Sequence, residues 1–237
     1  MTSSDNIIRI LQKHAYDYYP IVPLNADVKI VAIDLSKNNH AFSKAVYGNP
    51  ENFIDFIESA KKKNDATYLI GGYREHRDMY SRSELFDKNI VDNLSAEEPR
   101  TLHLGIDIWG EVGTAISAPL GGMVEGFAYN NHFGDYGATI ILQHQLETVN
   151  FYTLYGHLSL KDIEDKRRGQ FITRGQQFAH FGTWEENGNW PPHLHFQIIL
   201  DIDNYEGDYP GVCKMSEAQK YLQNCPDPNL ILKMLPR

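Results

Sequence analysis

Cysteine is nearly absent from this chain: Cys213 and Cys225 are the only two. They form no Cys-x-x-Cys pair, which excludes a structural zinc site made of cysteines. They read as free thiols of a reducing compartment, with a disulfide as the alternative. Positive charge is also scarce. Lys and Arg number 22 against 31 Asp and Glu, a formal net charge of −9 over 237 residues. Phosphate contacts need a clustered positive surface, so nucleic acid is not an expected partner. The short basic runs Lys61-Lys62-Lys63 and Lys166-Arg167-Arg168 read as solvated faces or turn edges. No run approaches the roughly 18 consecutive apolar residues of a membrane span, so a membrane is not an expected partner either. Residues 1–6 lack the basic and then apolar regions of a secretory leader. The resulting expectation is a soluble, cytoplasmic protein. Nothing in the pattern speaks to oligomeric state.

What is present is enough apolar material for a sizeable core: 42% hydrophobic and 12% aromatic residues. The first hundred residues have α/β character. Ile7, Ile8, Ile10 and Leu11 form an apolar stripe that predicts a helix over 5–18, capped by Ser4 or Asp5 and stopped by Pro20. Residues 28–35 predict a strand. Asn49 as cap, Pro50 at the first position and three terminal lysines predict a helix over 50–63 that buries Phe53, Ile54, Phe56 and Ile57. Residues 66–72 predict a short strand. The cluster Tyr73, Arg74, Glu75 and Arg77 after it reads as surface ion pairs, with cleft lining as the alternative.

From about residue 100 the character changes. Short apolar segments at 102–109, 114–118, 122–128, 137–144, 151–158, 177–182 and 193–200 alternate with glycine turns, which predicts an antiparallel all-β core. A short helix follows near 216–223. The fold class is therefore mainly β, α+β overall. We divide the chain into an N-terminal α/β extension over 1–98, a candidate cap on a groove, and a β domain over 99–237.

Three motifs in this β region carry chemistry. His193-Leu194-His195 sits in an extended segment, where residues i and i+2 share a face. Its two imidazoles stand about 6–7 Å apart at the backbone and can serve one metal ion. His103 and Asp107 would lie about 13 Å apart in a straight strand, and a bend at Gly105 would bring them together. His157, in Tyr155-Gly156-His157, ends a strand from which it can point into a cleft. Each motif alone is compatible with ordinary strand histidines. Together they supply four histidines and one carboxylate. A catalytic zinc takes three N/O ligands and leaves a position for water, and two histidines with one aspartate would complete that set. The spacing does not say which histidines those are. His144 and His180 lie inside strands and read as core or face residues.

The segments HLGID, LYGHLS and PPHLHFQ, in this order, resemble the zinc metallopeptidases of family M23, the lysostaphin and LytM type. The APLGG turn at 118–122 and the glycine-punctuated GQFITRGQQFAHFG before His-x-His fit the same pattern. The resemblance covers about 100–200. It implies an antiparallel β fold with the site in a groove, one zinc ion held by His103, Asp107 and His195, and a catalytic pair His157 and His193. The fuller wording resembles a subgroup of such domains fused to class III aminotransferases and kinase-like domains. Two departures stand out. The approach to His-x-His is Thr183–Pro192 rather than the Ser-Gly-x-Ser-Thr-Gly of most wall-cleaving members, and Gln197 replaces a glutamate. Both positions are expected to shape the groove.

The resemblance thus implies a zinc metalloendopeptidase that cleaves an amide bond through metal-activated water and a histidine general base. Its expected partner is a peptide or peptidoglycan-derived substrate, with peptidoglycan cross-links as one candidate. The alternatives are a cytoplasmic hydrolase of a small peptide or amide, or an M23-like binding module without hydrolysis.

Overall fold

The computed structural model describes residues 3–88 and 97–236. In chain order the elements are α1 (Ser3–Lys13), β1 (Ile30–Ala32), α2 (Lys44–Tyr47), α3 (Pro50–Asn64), β2 (Tyr68–Gly71), β3 (Arg100–His103), β4 (Ile106–Trp109), β5 (Ala115–Ser117), β6 (Gly122–Asn130), β7 (Gly137–Leu146), β8 (Val149–Leu158), α4 (Lys161–Glu164), β9 (Phe171–Ile172), β10 (Gln177–His180), β11 (His193–Ile199), β12 (Val212–Lys214), α5 (Ala218–Asn224) and α6 (Asn229–Leu232). Eight strands form one sheet in the order β1-β2-β4-β11-β8-β7-β6-β9. Its pairings are antiparallel except β1 with β2, which run parallel. Two ribbons, β10 with β5 and β12 with β3, flank it. The mainly β, α+β class expected from the sequence is what the chain adopts.

The helices follow from local chemistry. The Asn49 side chain accepts from the Asn52 N–H at 3.0 Å, Pro50 occupies the first turn, and the chain leaves α3 through Asp65 in the left-handed region. Phe53, Ile57 and Lys61, one turn apart, are its buried face. Helix α1 ends at Lys13, earlier than the expected stop at Pro20. The chain turns back there, and the Tyr18 hydroxyl donates to the Leu11 carbonyl at 2.8 Å, satisfying an end-of-helix acceptor.

The expected single strand over 102–109 is two strands. Residues 104–105 break it, so β3 joins the ribbon with β12 while β4 enters the large sheet. The sheet also crosses residue 98: β2 pairs with β4, and α1 packs Ile7, Ile10 and Leu11 into the same apolar cluster as Leu194, Phe196 and Ile198 of β11. Strand β11 is buried along its whole length, between β4 and β8. Alternation sends Leu194, Phe196 and Ile198 to that core and leaves His193, His195 and Gln197 on the opposite face. No helix among the described residues is long and apolar enough to cross a membrane.

Candidate metal centre and its flanking histidine pair

The register of β4 against β11 sets His195 directly opposite Asp107. The break after β3 folds His103 onto the same face. Gly105 permits this by close approach as much as by bending: a Cβ there would stand 2.5 Å from His195 Cε1 and 2.6 Å from its Nε2. Three atoms converge. His103 Nε2 lies 2.9 Å from His195 Nδ1 and 3.3 Å from Asp107 Oδ1, and His195 Nδ1 lies 3.2 Å from that same oxygen. All three side chains are buried.

Proton placement shows what this triangle is suited to hold. The Gly72 carbonyl, 2.9 Å from His103 Nδ1, can only accept, so Nδ1 carries the hydrogen and Nε2 is bare. The Gln197 amide nitrogen donates to the Pro210 carbonyl at 3.2 Å, which turns its oxygen toward His195 Nε2 at 2.9 Å. His195 therefore donates from Nε2 and its Nδ1 is bare. Two bare imidazole nitrogens and a carboxylate oxygen face one another with no donor between them. A bound cation would reconcile these three converging acceptors. A zinc ion with bonds of about 2.0–2.1 Å separates its tetrahedral ligands by about 3.3 Å, close to the edges seen here. The residues fit the ion that the donor chemistry implies.

Electrostatics point the same way. Burial pushes His103 down to about 4, helped by the Arg77 charge, so it is neutral and ready to ligate. Burial opposes ionisation of Asp107, but its charged surroundings, the Arg77 guanidinium among them, outweigh that and hold its carboxyl well below the usual range.

His157 and His193 stand beside the triangle, their ring centroids 4.1 Å apart. Each donates from Nδ1 to a carbonyl, His157 to Asn187 and His193 to Pro191, both at 2.8 Å. Each thus presents a bare Nε2 to the pocket. His193 stacks on Trp109 at 3.9 Å, and its Nε2 lies 3.9 Å from Asp107 Oδ1. Burial lowers both, His193 to about 4 and His157 well below its usual value. His157 reaches the pocket through a β-bulge. Gly156 and His157 together oppose Thr139 of β7, and His157 has φ +64°. That left-handed residue reverses the alternation that would have sent it to the core with Tyr155 and Leu158.

The five histidine and aspartate positions singled out in the sequence therefore share one site, lining or bordering a cavity of about 830 Å³ including its mouth. Its walls come from Met79, Tyr80 and Phe86 on one side and Tyr205, Tyr209 and Pro210 on the other. Other expectations need correction. Arg77 is not a surface residue: it is wholly buried, with Nη1 2.5 Å from Asp107 Oδ2 and Nε 2.5 Å from Glu75 Oε2. Gln197 does not shape the groove; it is buried behind His195 and fixes its tautomer. The Thr183–Pro192 approach does more than shape the groove, since Asn187 holds His157 by its carbonyl and ties its own loop through two side-chain bonds to Trp190. No spacing in the sequence pointed to Arg77, 30 residues before its partner. Elsewhere, His144 is a core residue bonded to Gly121 O and Thr153 Oγ1, and His180 faces Asp162. Cys213 and Cys225 are free and buried, and burial pushes both thiols up to about 12.

A mainly antiparallel sheet thus gathers two histidines and one aspartate that could hold a metal ion, with a further histidine pair beside them in one pocket. Residues 101–206 match the sequence profile of Peptidase family M23, a match that covers somewhat under half of the chain. Among solved structures, a zinc-containing peptidase from Vibrio cholerae aligns at 26% identity over 41% of this chain and 27% of its own, with a TM-score of 0.33. The chain thus spans about a quarter of that protein. The catalytic domain of the antimicrobial peptidase lysostaphin from Staphylococcus simulans aligns at 23% identity over 51% of this chain and 80% of its own, TM-score 0.36. A variant of the catalytic domain of the prophage-encoded M23 protein EnpA from Enterococcus faecalis aligns at 20% identity over 49% and 85%, TM-score 0.36. No curated protein sequence matches the chain.

Proposed function

We propose that this protein is a zinc-dependent peptidase that hydrolyses an amide bond in a short peptide bound in the pocket beside His193. The observation that carries the reading is the triangle of three bare acceptors on His103, Asp107 and His195, placed next to a second histidine pair with free Nε2 atoms. Zinc held there would polarise the scissile carbonyl and acidify a water. The protein groups do the rest. Burial keeps His157 and His193 neutral, so either can take a proton from the attacking water. Two imidazolium charges about 4 Å apart would repel by about 4 kcal/mol at an effective dielectric of 20, so the pair holds one proton at a time. His193, nearer Asp107, is the base that takes it. The protonated ring then donates toward the developing oxyanion and returns the proton to the leaving amine.

Substrate size is argued from the walls. Met79, Tyr80, Leu85 and Phe86 on one side and Asp208–Val212 on the other lie outside the family-matched segment, and both groups line the cavity. We read the first as the capping element of the N-terminal region. The two narrow the groove to a pocket suited to a peptide of a few residues. The test compares zinc-loaded protein and His193→Ala on synthetic di- to pentapeptides and on purified peptidoglycan, with new amino groups as the readout. Release from short peptides by wild type alone is expected. Release from peptidoglycan alone would replace this reading with cleavage of wall cross-links. Zinc uptake with no hydrolysis of either would leave a binding module.

A further inference from the structure

The segment just after β2 touches the back of two of the three converging side chains. The Gly72 carbonyl receives His103 Nδ1–H at 2.9 Å. Arg77 reaches Asp107 Oδ2 with Nη1, and the same nitrogen lies 3.2 Å from the Tyr80 hydroxyl. Glu75 takes Arg77 Nε with one carboxylate oxygen and receives the Leu35 N–H, at 3.2 Å, with the other. Tyr80 in turn lies against the His103 ring, centroids 6.3 Å apart. The packing admits little adjustment. Gly72 has φ +108°, and a Cβ on it would come 1.9 Å from Arg77 Nη2 and 2.9 Å from His103 Nδ1. Leu35, Gly72, Glu75, Arg77 and Tyr80 all lie outside residues 101–206, the part that matches the family profile.

A carboxylate has two oxygens and can ligate through one or both. Here they are already divided: Oδ2 belongs to the guanidinium, and Oδ1 faces His103 and His195. We propose that Arg77, carried on the buried 72–80 segment, is a positioning residue that holds Asp107 as a single-oxygen donor to the metal and so keeps a coordination position free for the reaction. The inference rests on the metal-centre reading above. It makes the N-terminal region part of the metal site rather than only a wall over it. The fork geometry matters as well as the charge. Nε and Nη1 are occupied by different carboxylates, which fixes the plane of the guanidinium, and a lysine ammonium cannot reproduce that arrangement.

Cobalt(II) in place of zinc tests this without reference to turnover, because its visible absorption weakens as coordination rises from four to five. Wild type, Arg77→Met and Arg77→Lys are each loaded with cobalt, and zinc affinity is measured by competition with a chromophoric chelator. Wild type should show intense four-coordinate bands. In Arg77→Met the freed Oδ2 should join the metal, lowering the band intensity about twofold, with zinc bound about 10- to 100-fold more weakly, the range for lost outer partners. Removing one member of a buried ion pair can also unfold a protein. Arg77→Lys, which keeps the charge, then decides, with zinc bound about tenfold more weakly and a shifted spectrum. Wild-type spectra and affinity in a folded Arg77 variant would overturn the assignment while leaving the metal centre intact. Failure of the wild-type protein to take up either metal would instead overturn the metal centre, and this inference with it.

Discussion

Adding one methyl group at Gly105 should empty the metal centre. Gly105 has no left-handed φ, so alanine suits its backbone and the effect is purely steric. The new Cβ would stand 2.5 Å from His195 Cε1, 2.6 Å from Nε2 and 2.9 Å from the Phe196 carbonyl. Carbon atoms in contact prefer about 3.5–4.0 Å, so the imidazole must retreat by about 1 Å. It has no room to do so. The Tyr136 ring also packs against it, with centroids 5.2 Å apart, and Gln197 fixes its Nε2. Metal–ligand bonds tolerate about ±0.2 Å, so a 1 Å displacement removes His195 from the set. We expect Gly105→Ala to raise the zinc Kd at least about 100-fold while costing about 1–3 kcal/mol of stability, typical of an overpacked core. Competition with a fluorescent chelator and urea unfolding of the metal-free protein measure the two separately. Wild-type zinc affinity in a folded Gly105→Ala protein would refute the claim that His195 binds from the position seen here.

Alanine at His103, Asp107 or His195 should abolish stoichiometric zinc, whereas His193→Ala should keep zinc and lose at least about 100-fold in rate, the share of a general base; elemental analysis beside peptide turnover separates the two classes, and loss of metal from His193→Ala would reverse the division of roles. Acid should destabilise the fold through His144, which burial holds at about 4 instead of 6.5. Its folded form takes up a proton later than its unfolded form, so its contribution is complete above about pH 6.5 and is lost as pH falls toward 4, by about 3 kcal/mol in all. His144→Gln should make the fall in urea midpoint across that window shallower, with buried His103 and His193 still contributing to it, and an unchanged pH slope would refute the assignment.

Much of the fold was legible because its signals are local. Asn49, Pro50 and the lysine triplet bounded α3 to within a residue or two, and glycine punctuation located the strands between 100 and 200. The period-two spacing of His193 and His195 placed both on one face, and the strand broke beside the glycine where a bend was expected. What stayed hidden depends on contacts between distant segments. Arg77 and Asp107 meet only because β2 pairs with β4, and a buried ion pair leaves no periodic trace in the sequence. Gln197 looked like a groove residue because its position faces the site side of β11, but Pro210 and Cys225 cover it. His157 looked like a strand end, whereas a bulge turns it, and bulges depend on the partner strand.

The cross-strand pairing of His195 with Asp107 also bears on how the chain finds its fold. Strand β11 is flanked on both sides, and shifting it by one residue against β4 would set Leu194 opposite Asp107 and turn both histidines into the apolar core. A metal ion held by His103, Asp107 and His195 binds the native alignment and none of its neighbours. It would then act during folding as a proofreader of strand alignment, drawing the population toward the one sheet in which the ligands meet.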